Sequence, residues 1–490
     1  MTRDTRKQSS TMRKALALLI ALAFLLTLRV AIPPARAKKS HAAHVQVLVV
    51  GGSPGGIAAA VAASRAGMTT LLVEPQEEIG GEITLGWLNV LDLNLGPEGQ
   101  SLTRGIFGQM YRALGQTFDI EEAQMVLDEL VRAQPKLTVQ TRTKVVAPIV
   151  RDGVLTGVVL ATGDGRSRVV TADEFIDATD DASLAVAAGV SYTVGREESG
   201  LDRRMQAATL VFRLAGVDRR AVTRYVAAEK MKPGRLCGVR GQYVWGYGEI
   251  VRHFRARNAR VAAFDLNLGW QSDDTVLVNA LQIFDVNGAD RQSMQQARAQ
   301  GEAELPALTR FLNARAPGFV GAYLVGAAPH LYVRETRHVA SAYRMTAEDI
   351  LSGSDFWDRV AVASYPIDLH PYGPGQMNPY AVSNRPYAIP FRILVPLGVE
   401  RLLVVGKPVG ATYSAAGALR VVPSAMAMGE AGGEAAAFAI RTGTTPTRMA
   451  QDPALIAQLQ RRLASVGAYL PSPGDLMAAV PSSRPSPTSP

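Results

Sequence analysis

Residues 45–67 read VQVLVVGGSPGGIAAAVAASRAG, and this stretch decides the fold. The apolar, β-branched run at residues 45–50 is typical of a parallel strand that is buried on both faces. A glycine-rich turn follows at residues 51–56, and an Ala-rich segment then predicts a helix that ends at Gly67. A second short strand is predicted at residues 70–73. This order of strand, turn, helix and strand predicts an α/β, Rossmann-like domain that binds a dinucleotide.

The glycine-rich turn carries the chemistry of this unit. Gly51 allows the tight turn out of the strand, and Gly56 allows the helix to pack closely on it, with the helix N-terminus facing a pyrophosphate. Ser53 stands where the motif usually has its middle glycine; it is small, and its hydroxyl offers a donor to a phosphate oxygen. Glu74 ends the second strand, where a carboxylate can accept hydrogen bonds from ribose hydroxyls. The residues predicted here to bind the cofactor are Gly51, Gly52, Ser53, Pro54, Gly55, Gly56 and Glu74.

Further elements follow from periodicity and turn residues. Helices are predicted at residues 101–114 and 121–133, and strands at 137–141, 144–150, 154–161 and 174–176, with hairpin turns at Asp152-Gly153 and Asp164-Gly165. A strand at 401–405 and a helix of small residues at 423–440 return the chain to the first domain.

Several blocks of the sequence resemble the FAD-dependent oxidoreductases of the glutathione-reductase-like flavoprotein superfamily. More narrowly, they are similar to the broad bacterial FAD-dependent oxidoreductase family that includes relatives of the heterodisulfide reductase A subunit. The blocks are VLVVGGSPGGIAAAVAASRAG (47–67), LLVEPQEEIGG (71–81), EFIDATDDASLA (174–185), YVRETRHVASAYRMTAEDIL (332–351), YPIDLH (365–370) and a long block, YAIPFRILVPLGVERLLVVGKPVGATYSAAGALRVVPSAMAMGEAGGEAAAFA (387–439).

The resemblance implies FAD as the cofactor, with the N-terminus of the helix near residue 423 facing the isoalloxazine pyrimidine oxygen. It adds further cofactor contacts at Gly81, Val146, Gly406, Gly417, Arg420 and Val421. The chain departs from the family at Asp180, where the family usually has glycine near the diphosphate.

The predicted organisation is a split FAD-binding domain, with a parallel sheet, helices and a β-meander, that surrounds an insertion. The segments are a signal peptide at 1–37, the N-terminal part of the FAD-binding domain at 44–189, an inserted mixed α+β substrate (cap) domain at 190–330, the C-terminal part of the FAD-binding domain at 331–470, and a Pro/Ser-rich tail at 471–490 that is predicted to be disordered.

Three residues are predicted to act on the substrate. Arg334 and Arg392 can bind a carboxylate or an oxyanion, and His370 can take a proton during hydride transfer. Arg337, His338 and Tyr372 are neighbouring candidates. The structural alternative stays open, because an arginine on a strand is commonly ion-paired and a histidine is commonly a hydrogen-bonded core residue.

Composition excludes several classes. Of the net charge of +9, residues 1–37 carry +6 through seven basic residues and one acid, so +3 remains for the rest, without a basic and aromatic nucleic-acid patch. A lone cysteine, Cys237, excludes an internal disulfide, a CxxC redox pair and a Cys-based metal site. No metal is expected, the partner is a small-molecule substrate, and the oligomeric state stays open.

The N-terminus indicates export. Basic residues precede the apolar run Ala15–Leu28, which is 14 residues long, and the triplet Ala35-Arg36-Ala37 follows. This is the layout of a secretory signal peptide, and the run is shorter than the roughly 20 residues of a membrane span. We expect a periplasmic or extracellular protein that has no stable membrane span once the signal is cleaved; an uncleaved N-terminal anchor is the alternative.

The predicted function is an exported FAD-dependent oxidoreductase that transfers a hydride between a small organic substrate and flavin N5. No second Gly-rich nucleotide loop follows a strand, so reoxidation by oxygen, a quinone or another non-NAD acceptor is expected. The alternative is a flavin-binding protein without redox turnover on a small substrate, either an electron carrier or a non-redox isomerase or hydratase.

Overall fold

A computed structural model describes residues 43–376 and 378–471. The predicted signal peptide lies outside the described residues, and so does the predicted tail from residue 472 onward.

The described chain alternates strands and helices. The strands are β1 (Ala43–Val50), β2 (Thr70–Val73), β3 (Leu137–Gln140), β4 (Thr143–Arg151), β5 (Val154–Thr162), β6 (Ser167–Asp177), β7 (Tyr192–Val194), β8 (Ala208–Ala215), β9 (Gly238–Arg240), β10 (Tyr243–Trp245), β11 (Val261–Trp270), β12 (Val276–Ile283), β13 (Tyr323–Ala327), β14 (Arg337–Val339), β15 (Arg359–Ala363), β16 (Tyr387–Pro390) and β17 (Leu402–Val404). The α-helices are α1 (Pro54–Arg65), α2 (Gly105–Leu114), α3 (Ile120–Arg132), α4 (Ser183–Ala187), α5 (Arg219–Lys230), α6 (Gly248–Val251), α7 (Arg291–Arg315), α8 (Ala347–Ser352), α9 (Tyr413–Leu419), α10 (Val422–Thr442), α11 (Pro446–Met449) and α12 (Pro453–Ser465). Two 3₁₀-helices span Glu197–Ser199 and Phe391–Leu394.

The first sheet has the order β3-β2-β1-β6-β5-β4, and β17 also pairs with β6. Strands β3, β2, β1, β6 and β17 run parallel, whereas β4, β5 and β6 form antiparallel hairpins. The side chains of Val47, Leu48 and Val49 are fully buried, as the continuous apolar run requires. The predicted α/β fold with a parallel sheet and a β-meander is confirmed.

Helices α1 and α10 pack against each other so closely that their backbones are nearly in contact. A Cβ added at Gly429 would lie 2.0 Å from the Gly55 carbonyl oxygen, and one added at Gly433 would lie 2.2 Å from that of Ala59. The small residues that the sequence places in both helices therefore allow α10, from the C-terminal part of the chain, to cover α1.

The second sheet has the order β13-β8-β12-β11-β10-β9 and is antiparallel. Helix α7 lies against it: Gly301 on α7 is so close that a Cβ there would meet Ile283 and Leu210 side chains at 2.9 Å. The strands of this sheet lie between residues 208 and 327, within the stretch predicted as an insertion. The domain boundaries themselves stay predictions.

Across residues 43–376 and 378–471, none of the helices combines the length and apolar character that crossing a membrane requires.

Candidate active site

The carboxyl ends of the parallel strands meet at one edge of the first sheet. The Gly51 amide donates to the Val73 carbonyl at 2.9 Å, the Ala178 amide to Val50 at 2.8 Å, and the Val405 amide to Asp177 at 2.9 Å. These bonds join the loops that follow β1, β2, β6 and β17. Ligands of open α/β sheets bind at this edge, so the topology brings the predicted cofactor residues of three distant blocks together.

The glycine-rich turn has the backbone that the motif demands. Gly51 has φ +103°, and a Cβ there would lie 2.6 Å from the Ala178 oxygen. A Cβ at Gly56 would lie 1.9 Å from the Gly51 oxygen. Ser53 differs from the expectation: its hydroxyl donates to the Ala178 carbonyl (2.8 Å) and accepts the Gly56 amide (3.2 Å) as the N-cap of α1. Its single proton is committed to the protein, so it is not directed to a phosphate in this arrangement.

Glu74 lies directly beside the turn. Its carboxylate accepts the Gly52 amide at 2.6 Å and the Gln76 amide at 2.9 Å, and burial raises its pKa. Gly81 approaches Ser53 closely, since a Cβ there would lie 3.4 Å from the Ser53 Cα. Val146 is 57% exposed on β4, at a break in the pairing with β5 between Val145 and Ala147.

The segment that follows β17 leaves an open space against the sheet edge. Gly406 is buried with φ +86°, yet a Cβ on it would meet nothing within 4 Å. Val421 is the N-cap of α10, and no side chain caps this helix. Gly417 lies on α9 against Asp368, whose carbonyl oxygen would be 3.1 Å from an added Cβ. A buried glycine beside empty space and an uncapped helix N-terminus are what a bound anionic or polar group requires.

Asp180, the departure from the family pattern, is held by an ion pair. The Lys407 Nζ lies 3.1 Å from its carboxylate and 3.2 Å from that of Glu82. Burial opposes the charge on Lys407, but Asp180 and Glu82 outweigh it and raise the pKa of the lysine above its ordinary value. The ammonium group of Lys407 therefore offsets part of the negative charge that Asp180 and Glu82 bring to this edge.

Next to the α10 N-terminus lies a cavity of about 290 Å³, which we call the inner cavity. It receives side chains from the segment after β2, from the second sheet and from the segments around residues 332 and 368. The lining residues are Trp87, Leu88, Asn89, Val90, Asp92, Tyr243, Asn267, Asn279, Tyr332, Arg334, Tyr365, Asp368, His370 and Arg420. Arg334, His370 and Arg420, three residues predicted from the sequence, thus face one space.

Arg420 and Asp368 form the charged centre of the inner cavity. An Arg420 Nη donates to Asp368 Oδ2 at 2.6 Å and the other to the Tyr332 hydroxyl at 2.6 Å. Burial opposes ionisation of Asp368, but His370 and Arg420 hold its pKa well below the usual range. Tyr365 donates its hydroxyl proton to the same carboxylate at 3.3 Å. Asp368 is therefore a carboxylate anchored by a guanidinium.

His370 sits beside this carboxylate. Its Nε2 lies 3.5 Å from Asp368 Oδ2, and its Nδ1 lies 3.0 Å from the Gln282 amide nitrogen. Its side chain is 24% exposed because it faces the cavity, while protein encloses its other sides. This burial, together with the nearby Arg334, lowers its pKa to about 4. At neutral pH the imidazole is uncharged and able to accept a proton.

Arg334 is a buried cation that forms no ion pair with a carboxylate of residues 43–376 or 378–471. It donates to the Ala207 carbonyl and the Thr209 hydroxyl, both at 2.8 Å, and its guanidinium carbon lies 4.5 Å from the centre of the Tyr332 ring. Burial lowers its pKa to about 10. The Nε atoms of Arg334 and Arg420 are both buried without a hydrogen-bond partner among the described residues.

Arg392 lies outside the inner cavity. Its guanidinium donates twice to Asp358, at 2.9 and 3.2 Å, and packs over the rings of Tyr343 and Trp357. The ion pair uses the donors that a substrate would need, so the geometry gives its predicted catalytic role no support.

The neighbouring candidates also have protein partners. Arg337 donates to Asp181 at 3.2 Å, and His338 Nε2 lies 3.1 Å from Glu335. The ring of Tyr372 packs under Arg196. None of the three lines the inner cavity.

Sequence reasoning missed several lining residues. Asp92 stands in the loop LNVLDLN, which carries no motif, and it is exposed towards the cavity. Protein on its other sides and repulsion from Asp368 raise its pKa to about 6. Trp87 has φ +56°, a costly backbone for an aromatic residue. Among these missed residues, Asp368 could have been found from the sequence, because it lies two residues before His370 in the family-like block YPIDLH.

This geometry defines a class of protein: a Rossmann-type flavoprotein with a polar cavity beside the flavin-binding helix. A family model described as FAD dependent oxidoreductase matches residues 46–463, and the chain belongs to that family. It is therefore an FAD-dependent oxidoreductase, as predicted.

Among solved structures, the chain is similar to a geranylgeranyl bacteriochlorophyll reductase-like protein from Thermoplasma acidophilum, with 14% identity, coverage of 89% of this chain and 96% of that one, and a TM-score of 0.43. It is also similar to p-nitrophenol 4-monooxygenase from Pseudomonas putida, with 11% identity, 89% and 92% coverage and a TM-score of 0.42. Likenesses at this level say nothing about substrate. No curated protein matches the sequence significantly.

The residues present fit FAD. The turn at 51–56 and the α1 N-terminus would hold the diphosphate, Glu74 a ribose, and the α10 N-terminus the isoalloxazine, with open space left at Gly406. Arg334 and Arg420, whose buried Nε atoms have no hydrogen-bond partner among the described residues, both line the inner cavity.

Proposed function

We propose that the protein oxidises a small polar organic substrate by transferring a hydride from a carbon that bears a hydroxyl to the flavin. The observation that carries this proposal is the inner cavity, in which an uncharged histidine, a carboxylate and two guanidiniums face one space beside the α10 N-terminus. An electron carrier has no need for such a cavity.

Bound FAD would supply the hydride acceptor at N5. The chain's own part is to bind the hydroxyl and remove its proton. The 3.5 Å distance between His370 Nε2 and Asp368 Oδ2 exceeds that of a normal hydrogen bond, so Nε2 would be available to a substrate hydroxyl that approaches from the cavity. The Gln282 amide nitrogen lies beside the other imidazole nitrogen, and its buried Oε1 has no partner among the described residues. When that oxygen faces Nδ1–H, Nε2 is free to accept the proton, and Asp368 stabilises the imidazolium that forms.

Arg334 and Arg420 would position the substrate and stabilise negative charge on its oxygen, since both have a buried Nε to offer. Oxygen, a quinone or another non-NAD acceptor would complete the cycle, because the sequence contains one Gly-rich nucleotide loop after a strand.

Export is part of the proposal and rests on the signal-peptide layout of residues 1–37. N-terminal sequencing of the protein recovered outside the cytoplasm should begin after Ala37. A chain that begins at Met1 or Met12 would exclude cleavage.

The mechanism is tested by His370→Ala in the flavin-loaded enzyme. Sugars, hydroxy acids and amines are screened for anaerobic bleaching of the flavin, and the variant should lose bleaching by more than a hundredfold while its flavin absorbance stays unchanged. In the wild type the rate should persist down to about pH 4, because the base becomes protonated only there. His253→Ala, a change at an exposed histidine, is the matched control. Unchanged bleaching in His370→Ala would remove this residue from the mechanism.

A further inference from the structure

A second, larger cavity lies beside the inner one. It has a volume of about 740 Å³, and we call it the outer cavity. Asp92, Tyr243 and Tyr365 line both cavities, so these three side chains form the boundary between them. The volumes fall in the roughly 300–1,000 Å³ range of small-molecule sites. The inner cavity holds one small ring, and the pair holds a longer ligand.

The outer cavity offers an aromatic surface next to that boundary. Tyr243 and Trp245 lie two residues apart on β10, with ring centres 5.0 Å apart and planes inclined by 24°. Both side chains are half-buried. The remaining lining comes from the loop at 92–99, from residues 364–366 and 384–386, and from Gln116 and Arg240. Because the Tyr243 and Trp245 rings stack on each other, a flat or ring-shaped group would extend the stack by packing its apolar face on the outer face of the pair.

The inner cavity, by contrast, has balanced charge. Its charged lining residues are two guanidiniums, Arg334 and Arg420, and two carboxylates, Asp92 and Asp368. The charges balance at neutral pH, where Asp92 is ionised and His370 is uncharged. For an ionic substrate, attraction to the groups of opposite sign is offset by repulsion from the groups of its own sign, so the cavity has no net preference for an anion or a cation. Hydroxyl groups both donate and accept, so they can pair with either kind of wall group.

The asparagines strengthen this preference for hydroxyls. Asn89, Asn267 and Asn279 add amide donors and acceptors to the same wall. A site built to hydrogen-bond hydroxyls rejects analogues that lack them, because its buried polar groups would be left unpaired.

We propose that the substrate is a neutral carbohydrate of at least two rings, whose terminal sugar enters the inner cavity while the next ring lies on Tyr243 and Trp245. This inference rests on the proposed function and specifies the substrate class for the same site.

The first experiment uses the full-length, flavin-loaded enzyme under anaerobic conditions. The probes are neutral monosaccharides (glucose, galactose, mannose), disaccharides that end in those sugars (cellobiose, lactose, mannobiose), hydroxy acids (glycolate, lactate) and amines (benzylamine, alanine). We expect anaerobic bleaching by a neutral sugar and, in turnover with oxygen or a quinone as the acceptor, a KM about tenfold lower for the disaccharide than for its terminal monosaccharide. This comparison needs no variant.

The second experiment removes the aromatic surface. Trp245→Ala should raise the KM for the disaccharide about tenfold more than the KM for the monosaccharide, whereas Trp245→Phe should retain most of the preference for the disaccharide. Tyr323→Ala, a change at an exposed aromatic residue on β13 at the far edge of the same sheet, is the matched control and should alter neither sugar.

The outcomes separate the two proposals. Bleaching by a hydroxy acid or an amine, and by no sugar, would overturn the carbohydrate assignment and leave the proposed oxidation standing. Equal KM values for the monosaccharide and the disaccharide in the wild type would overturn the proposal that a second sugar ring binds at Tyr243 and Trp245. If dithionite reduces the bound flavin and no probe does, the proposed function fails together with this inference.

Discussion

At the residue scale, Lys407 resolves the conflict that Asp180 poses. An acid near the diphosphate of a cofactor is unfavourable, and a second acid, the buried Glu82, shares the same lysine with the partly exposed Asp180. One ammonium group bridges both carboxylates, so the loop after β17 and the loop after β6 are tied together at the cofactor edge. A buried ion pair with one partner removed leaves an uncompensated charge, which costs about 3–5 kcal/mol.

Lys407→Met should therefore reduce both flavin content and stability. We expect a fall in the ratio of flavin to protein absorbance and a lower melting temperature, because Glu82 and Asp180 lose their counterion. Lys407→Arg keeps the charge and should retain most of the flavin. Adding Glu82→Gln to Lys407→Met should recover part of the stability. A methionine variant with full flavin content and an unchanged melting temperature would contradict this role.

At the element scale, the contact between α1 and α10 depends on glycines rather than on large apolar side chains. Gly429 and Gly433 lie one turn apart on α10, and each faces a backbone carbonyl oxygen of α1. Since backbone cannot move aside as a flexible side chain can, even one methyl group must push the two helices apart. Such a shift would also move the α10 N-terminus, which lies at the flavin site.

Gly433→Ala is predicted to destabilise the fold by about 1–3 kcal/mol or more through overpacking. Gly108→Ala is the matched control: it also lies inside a helix, α2, and the nearest atom to an added Cβ is the Arg112 Nη1 at 3.5 Å, an ordinary contact. That change should be neutral or stabilise by up to about 1 kcal/mol, because alanine favours helix. Chemical denaturation measures both, and equal effects would rule out the close-packing argument.

At the scale of the whole molecule, the first sheet buries an acid that weakens the fold at high pH. Glu174 on β6 is 3% exposed, and its Oε2 has no hydrogen-bond partner among the described residues. Burial raises its pKa to about 8 from an ordinary value of 4.5. The folded chain therefore binds this proton more tightly than the unfolded chain does, and the free energy of unfolding falls as pH rises from about 4.5 to about 8.

Glu174→Gln removes this titrating group, so the free energy of unfolding of the variant should no longer fall for this reason as the pH rises from about 4.5 to about 8. The stability of the variant relative to the wild type should rise between pH 5 and pH 8, by on the order of several kcal/mol, and then level off. Urea denaturation at pH 5, 7 and 9 measures the difference. Glu129→Gln, at an exposed position, should follow the wild type at every pH. Parallel curves for all three proteins would show that Glu174 does not titrate in this way.

The cofactor half of the site was predictable because its signals are local in sequence. Gly51, Gly56 and Glu74 lie within 24 residues of chain, and each is required by backbone geometry or by one hydrogen bond to the cofactor. The prediction for Arg392 had no such support, since an arginine beside a similar block is equally suited to an ion pair, and Asp358 provides that partner.

The substrate half depends on contacts between distant parts of the chain. Asp92, Asn267 and Asn279 come from separate segments, and none carries a pattern that marks it as part of a site. Whether two such residues meet depends on how the second sheet packs over the edge of the first, which no local propensity encodes.

The sequence by itself determined the α/β fold and the turn that binds a dinucleotide, because strand burial, glycine turns and a ribose acid each leave a mark at fixed spacing, and the resemblance of its blocks to a flavoprotein family implied FAD. Only the tertiary structure decided which arginine faces the cavity, how the charge of Asp180 is partly offset and which groups surround His370. These depend on long-range packing, and the pKa values of the site follow from the burial and charges that this packing creates.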